Sequence, residues 1–227
     1  FYGISRKGQK LLKQLLKIFS TIPDDSSGDL LGKIYEFFLG KFGLEEAQKG
    51  GEFFTPTSVV GLMVEYIEPY HGKIFDPACG SGGMFVQSNN FILRHHLQKG
   101  SVSPISVYGQ EETLETVKLA KMNLAINGLR GEIKQGDSYS EDLFDSYEKF
   151  DFVMANPPFN MKDWGQPSLT TDKRWKYGLP PANNANFGWV QHFISHLAPN
   201  GMAGFVLANG SMSSNTSGEG DIRTGIV

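Results

Sequence analysis

The run Phe150-Asp151-Phe152-Val153-Met154-Ala155 leads through Asn156 into two consecutive prolines, Pro157 and Pro158, and then Phe159. The short apolar run reads as a buried strand. Neither proline has an N–H to donate, so sheet pairing cannot continue past Asn156. The strand therefore stops abruptly, leaving an amide, a stiff backbone and an aromatic ring at its C-terminal edge. In an open α/β sheet that edge is where ligands bind.

The remaining punctuation fits such a sheet. Thr55 reads as an N-cap and Pro56 as the first residue of a helix carrying Val59, Val60, Leu62, Met63, Tyr66 and Ile67. Lys73-Ile74-Phe75-Asp76 is a short strand that runs into Pro77-Ala78-Cys79-Gly80-Ser81-Gly82-Gly83 and a helix from about Met84 to Gln98. Ile105 to Glu111 and Glu132 to Asp137 read as strands that each end in an acid, with a helix from about Thr113 to Asn127 between them. A helix over 187–197, a turn at Pro199-Asn200-Gly201 and a fifth strand over 202–208 follow. Strand and helix alternate throughout, which predicts an α/β fold with a doubly wound, mostly parallel sheet. Residues 1–50 show helical periodicity instead. Their lysines Lys10, Lys13 and Lys17 read as a solvated face, so the expected division is a helical segment over 1–50 and an α/β domain over 51–227.

Three strand ends carry the chemistry. A dinucleotide turn shows G-x-G-x-x-G, whereas here Gly80-x-Gly82-Gly83 follows Asp76 without the third spaced glycine. Glu111 is placed to accept from both hydroxyls of a ribose, and Asp137 to accept from the exocyclic amine of an adenine. Singly, each acid reads as a solvated loop carboxylate. At successive strand ends beside a glycine turn, they describe an adenosine pocket with no demand for a pyrophosphate, which S-adenosylmethionine fits. The Asn156 side-chain oxygen and the Pro157 carbonyl can accept the two hydrogens of an amine on a flat ring, with Phe159 stacking on that ring.

Composition limits the partners. A net charge of −3 is not that of a chain gripping nucleic acid alone by neutralising phosphates, so any such substrate calls for another subunit. A single cysteine, Cys79, excludes an internal disulfide and fits a reducing, cytoplasmic compartment. The glycine turn already explains a small residue at Cys79, and no partnered histidine marks it as a nucleophile. His71, His95, His96, His192 and His196 show no metal spacing with it, so no metal site is expected. No apolar run approaches the length of a membrane span. The stretch from Asn160 to Asn186 is a long loop carrying Trp164, Trp175, Tyr177, Lys162, Lys173, Arg174 and Lys176, a basic-aromatic composition that favours DNA.

Asp76-Pro77-Ala78-Cys79-Gly80-Ser81-Gly82-Gly83 together with Asn156-Pro157-Pro158-Phe159 resembles the adenine-N6 amino-methyltransferases of DNA. Gly51-Glu52-Phe53-Phe54-Thr55-Pro56 ahead of the glycine turn is similar to that family's remaining cofactor motif. The order of motifs resembles the modification subunit of type I restriction–modification systems. So do Leu119-Ala120-Lys121-Met122-Asn123-Leu124-Ala125, Asn183-Asn184-Ala185-Asn186-Phe187 and the Asn209-Gly210 turn.

The resemblance implies a Rossmann-like class I methyltransferase using S-adenosylmethionine. Glu52, Phe53, Phe54, Thr55, Pro56 and Thr57 would contribute to the cofactor site, with Phe53, Phe54 and Thr55 at the methionine end. Asp76, Gly80, Ser81, Gly82 and Gly83 would lie under it, Glu111 at the ribose and Asp137 near the adenine. Asn156, Pro157, Pro158 and Phe159 would hold a target adenine flipped out of double-stranded DNA, with Asn156 bordering the cofactor as well. Implied partners are a specificity subunit that reads the DNA and a translocating restriction endonuclease subunit. That fold usually closes with two more strands, one antiparallel. Neither is found before Val227, so a C-terminally incomplete domain within a longer chain is the expectation. Other readings stay open: transfer to cytosine N4 or protein glutamine, a nucleotide-binding oxidoreductase, or an inactive scaffold.

Overall fold

The computed structural model describes residues 55–99 and 105–227. The helical expectation for residues 1–50, and Glu52, Phe53 and Phe54, lie outside the described residues. The elements in order are α1 (Thr57–Ile67), β1 (Gly72–Asp76), α2 (Gly83–Lys99), β2 (Ile105–Glu111), α3 (Leu114–Ile126), β3 (Gly131–Gln135), β4 (Phe150–Ala155), α4 (Asn186–His196), β5 (Leu197–Phe205) and α5 (Glu219–Ile226). The strands form one sheet in the order β3-β2-β1-β4-β5, and every neighbouring pair is parallel. The chain thus steps outward from β1 to β3, then returns to β1's other side as β4. The order reverses between β1 and β4, and the crevice at their C-terminal ends is where such sheets bind ligands.

Alternation along the strands divides the core in two. Ile74 of β1 and Met154 of β4 join Val60, Val64 and Ile67 of α1, Phe85 and Phe91 of α2, and Val117, Ala120 and Leu124 of α3. Phe75, Val153 and Ala155, one residue out of phase, join Tyr139, Phe144, Trp164, Trp189 and Phe193. Phe75 stacks on Phe150 with centroids 4.5 Å apart. Helices cover both faces, as the doubly wound expectation requires.

Three expectations shift. Pro56, not Thr55, is the N-cap residue of α1, and no side chain caps that helix. The expected turn at 199–201 lies inside β5. There the pairing jumps from Phe150↔Leu197 to Phe152↔Met202, so five residues of β5 advance against two of β4. Pro199, lacking an N–H, sits within that irregularity, where such a residue is tolerated.

The third shift is the long loop. Trp164 is buried, and Trp175 packs beside it on the second core cluster. The Arg174 side chain is only 9% exposed and pairs with Asp172 at 2.7 Å. The loop is therefore a folded wall of the domain, and Arg174 is turned inward, away from any phosphate.

Candidate active site

A cavity of about 270 Å³ opens at the C-terminal ends of β1 to β4. It is lined by Pro77, Ala78 and Gly80 after β1, Glu111 and Glu112 at the end of β2, and Gly136, Asp137 and Ser138 after β3. Asn156, Pro157, Pro158 and Met161 after β4 complete it, with Trp189 of α4. Four separate strand ends thus converge on one space, which brings Gly80, Glu111, Asp137 and Asn156 together.

The glycine turn is shaped by its neighbours. Gly80 has φ +52°, and a Cβ there would meet nothing within 4 Å, so its face toward the cavity is open backbone. Gly82 has φ +80°, and its Cβ position faces Leu124 of α3. Asn123 Nδ2 donates to the Ser81 carbonyl at 2.9 Å, fixing the turn to α3. Ser81, Gly82 and Gly83 are not among the lining residues; they set the path that brings Gly80 to the cavity. Cys79 is buried against Gly109 of β2, and burial pushes its thiol well above the ordinary range. It stays neutral and inert at this position.

The acids divide their work. Glu111 Oε2 accepts from the Gly80 N–H at 3.1 Å, and Oε1 accepts from the Thr113 N–H at 3.1 Å. The carboxylate thus ties the glycine turn to the start of α3 while lining the cavity. Asp137 accepts from the Tyr139 N–H and the Ser140 hydroxyl, which closes the turn after β3. Asp76 is fully buried beneath the turn and is not a lining residue. Burial lifts its carboxyl to about 8, opposed by the Ala78 N–H and reinforced by the charge of Glu111.

At the end of β4, Asn156 Nδ2 donates to Thr55 Oγ1 at 2.8 Å. This bond gives Thr55 its use: the hydroxyl orients the amide rather than capping α1. The other end of the amide, Oδ1, is buried, and no donor among the described residues reaches it. Pro157 is buried, Pro158 exposed and Phe159 half-buried; Phe159 is not among the lining residues. Pro56 and Thr57 are exposed at the head of α1, outside the lining set. Asn160 turns with φ +53°, and its side chain accepts from Asn186 Nδ2 at 3.0 Å while its N–H donates to Asn186 Oδ1 at 2.8 Å. The asparagine-rich run that opens α4 is therefore the buttress of the Asn156–Phe159 segment.

The sequence profile of the family described as N-6 DNA methylase matches residues 26–227. The chain belongs to that family. It is 49% identical over 203 residues to the methylase subunit of the type I restriction enzyme HindI of Haemophilus influenzae, a match covering 88% of this chain and 44% of the relative. It is 44% identical over 205 residues to the methylase subunit of the type I restriction enzyme MjaIX of Methanocaldococcus jannaschii, covering 88% of this chain and 36% of that one. The crystal structure of the type I restriction–modification methyltransferase subunit from Streptococcus thermophilus superposes with a TM-score of 0.81 at 25% identity, covering 97% of this chain and 47% of its own. The chain spans less than half the length of these relatives. Its sheet is the Rossmann-like sheet of class I methyltransferases.

Ser138, Met161 and Trp189 line the cavity without having been singled out from the sequence. Ser138 sits beside Asp137, and its hydroxyl donates to the Pro77 carbonyl at 2.5 Å, locking the β3 turn onto the glycine turn. Adjacency to a predicted site acid was a usable signal for Ser138. Nothing local marks Trp189, which reaches the cavity only because α4 folds back under it.

Proposed function

We propose that this protein transfers a methyl group from S-adenosylmethionine to the N6 amine of an adenine flipped out of double-stranded DNA. The observation that carries the reading is Asn156. Its amide is oriented by Thr55, while its buried Oδ1 has no donor among the described residues, on a residue that lines the cavity. A buried acceptor is rarely left unpaired. An amine N–H is the group that would pair it.

When bound, S-adenosylmethionine supplies a methyl on a sulfonium, an electrophile that needs no activation by a base. The residues present fit it: the open backbone at Gly80, Glu111 for the ribose hydroxyls and Asp137 for the adenine amine. Glu111 keeps its two backbone bonds and still offers lone pairs, because each carboxylate oxygen accepts more than once. Asn156 Oδ1 and the Pro157 carbonyl accept the two hydrogens of the target amine. This draws the nitrogen lone pair out of conjugation with the ring and aims it. Phe159 stacks against the target base. The nitrogen sheds an already acidic proton to solvent after transfer, so no general base is required.

The reading extends to organisation. The catalytic domain includes the described residues from Thr55 onward, with Thr55, Pro56 and Thr57 on the cofactor's side of the domain. The protein acts in the cytoplasm as the modification subunit of a type I complex. A specificity subunit selects the DNA, and a translocating endonuclease subunit joins the same assembly. The relatives' names and the net charge of −3 support this.

The test mixes the full-length protein and its specificity partner with methyl-labelled cofactor and duplex DNA, then identifies the labelled base. Label on adenine N6 is expected. Label on cytosine, on protein or nowhere would sink the proposal. Asn156→Ala is expected to abolish transfer while cofactor affinity survives.

A further inference from the structure

The segment after β4 is held at both ends through asparagine. Asn156 is fixed by Thr55 Oγ1, 101 residues earlier in the chain. Asn160 is fixed by Asn186, 26 residues later: its N–H donates to Asn186 Oδ1 at 2.8 Å, and its Oδ1 accepts from Asn186 Nδ2 at 3.0 Å. Between the two lie Pro157, Pro158 and Phe159. Each proline ring fixes its own φ. The φ angles left to be set are those of Phe159 and of Asn160, which takes a left-handed value of +53°. A residue other than glycine seldom keeps that conformation without help from its side chain.

Asn186 is itself held. It is the first residue of α4 and is buried. Its N–H donates to Asn184 Oδ1 at 2.9 Å, and its Nδ2 also reaches Ser211 Oγ at 3.3 Å. The Ala185 N–H donates to the Met161 carbonyl at 2.9 Å, so the grip extends one residue past Asn160. Ser211 belongs to the loop after β5, which Arg223 of α5 fixes by donating to the Ser211 and Ser214 carbonyls at 3.2 and 2.7 Å. β5 runs parallel to β4 with Phe205 opposite Ala155, so this loop leaves the same edge of the sheet as Asn156. One amide thus joins the segment after β4 to the head of α4 and to the loop after β5.

We propose that Asn186 is a positioning residue for methyl transfer: its amide locks Asn160 in the left-handed conformation and so sets where Phe159 and the Pro157 carbonyl stand. The proposal rests on the reading of Asn156, Pro157 and Phe159 as the grip on the target adenine. Both ends of the amide are used, the oxygen on the Asn160 N–H and the nitrogen on its side-chain oxygen, so a side chain lacking either cannot replace it. Asn186 is not among the residues lining the cofactor cavity. Its loss therefore falls on transfer rather than on cofactor binding, and a displacement of about 1 Å at a reacting group costs up to about 100-fold in rate.

The test uses the full-length protein with its specificity partner, methyl-labelled cofactor and duplex DNA that the wild type methylates. Asn186→Ala should slow single-turnover transfer by about 10- to 100-fold at saturating DNA and cofactor, while S-adenosylhomocysteine binds as it does to the wild type. Transfer at the wild-type rate overturns the proposal. So does an equal loss of transfer and of S-adenosylhomocysteine affinity, which would make Asn186 a support of the whole domain. Should Asn186→Ala fail to fold, Asn160→Gly decides. Glycine takes the positive φ without cost and keeps the N–H bonded to Asn186, so only the side-chain half of the pairing is deleted. It should slow transfer about tenfold, the size of one hydrogen bond, and a wild-type rate overturns the proposal.

2-Aminopurine in place of the methylated adenine gives a readout that a purely structural role would not move. Its fluorescence anisotropy decay should show the base held rigidly in the wild-type complex and moving within its site in Asn186→Ala or Asn160→Gly. Equal rigidity in wild type and variant overturns the proposal. A wild-type complex that labels cytosine, protein or nothing would instead refute the reading of the grip itself, and is recognised before any variant is compared.

Discussion

Arg174 is the residue whose sequence context and structural context disagree most, and replacing it separates the two. Its Nε and Nη2 donate to the two oxygens of Asp172 at 2.9 and 2.7 Å. Nη1 donates to the Ser138 carbonyl at 3.1 Å and to His192 Nδ1 at 2.9 Å, and Nη2 also reaches the Tyr139 carbonyl at 2.5 Å. Burial, with the charges of His196 and Arg174, holds His192 well below its ordinary pKa, so its neutral ring accepts from the guanidinium. Arg174 thus joins the long loop to α4 and to the cavity wall after β3. Arg174→Met keeps most of the packed stem and removes every side-chain donor, leaving the backbone N–H on Asp172 Oδ1 at 2.9 Å.

Two buried carbonyls lose their partner, at ~1–3 kcal/mol each, and breaking a buried ion pair costs ~3–5 kcal/mol. The Asp172 side chain retains 19% exposure and can rehydrate, so the ion-pair part falls to about 1 kcal/mol, and with both carbonyls at their lower end the expected loss is about 3 kcal/mol. For a domain of this size that lowers Tm by roughly 6–12 °C. The pH dependence has a definite sign. Burial pushes the Asp172 carboxyl up, but hydrogen bonds and charge from Arg174 outweigh it, and the net shift is downward from 3.8. A lowered acid stabilises above its unfolded pKa and stops doing so as pH falls through the folded value, so the gap between wild type and variant should narrow below about pH 4 while the part owed to the two carbonyls persists. Thermal melts across pH check this. DNA binding against salt checks the rival view: a phosphate contact would take about one unit from the slope. An unchanged Tm together with a shallower salt slope would refute the structural argument and restore Arg174 to the DNA surface.

Three other perturbations probe the site and its support. Thr55→Val removes the acceptor that orients Asn156; transfer should slow about tenfold with stability changed by less than ~1 kcal/mol, and Thr55→Ser should restore it. Full activity in Thr55→Val would mean the amide is held some other way. Gly204 of β5 faces Ile67 and Met63 of α1 where a Cβ would stand, so Gly204→Val should cost ~1–3 kcal/mol by overpacking, read as a lower melting temperature. An unaltered Tm would show that α1 gives way. Asp76 is raised to about 8 by burial, so its contribution to stability is complete below about pH 4 and lost as pH rises through 8. Denaturant titrations should show wild type losing stability relative to Asp76→Asn by up to about 1.4 kcal/mol per pH unit over that window, whereas a constant difference would place the proton elsewhere.

Much of the backbone was legible because its signals are local. Prolines end β4 where the sheet must stop, and the limits of β2 and β4 coincide with those expected from apolar periodicity. The acids at the ends of β2 and β3 and the glycine turn after β1 converge on one cavity because parallel register forces successive strand ends to one edge. What escaped were partnerships across sequence distance. Local rules make Thr55 a helix cap, yet its hydroxyl serves an amide 101 residues away. Its place in a basic-aromatic loop points Arg174 toward DNA, yet a carbonyl 35 residues upstream and a histidine 18 residues downstream take it inside.

The same distinction explains why Asn156 and Trp189 differ in legibility although both carry unpaired buried atoms. Asn156 is announced by the prolines that follow it. Trp189 lies within an apolar helix whose residues, from Asn186 to Phe193, are all buried, so periodicity cannot single it out. Only hydrogen-bond accounting separates it from Trp164 and Trp175, which pair with the carbonyls of their own loop.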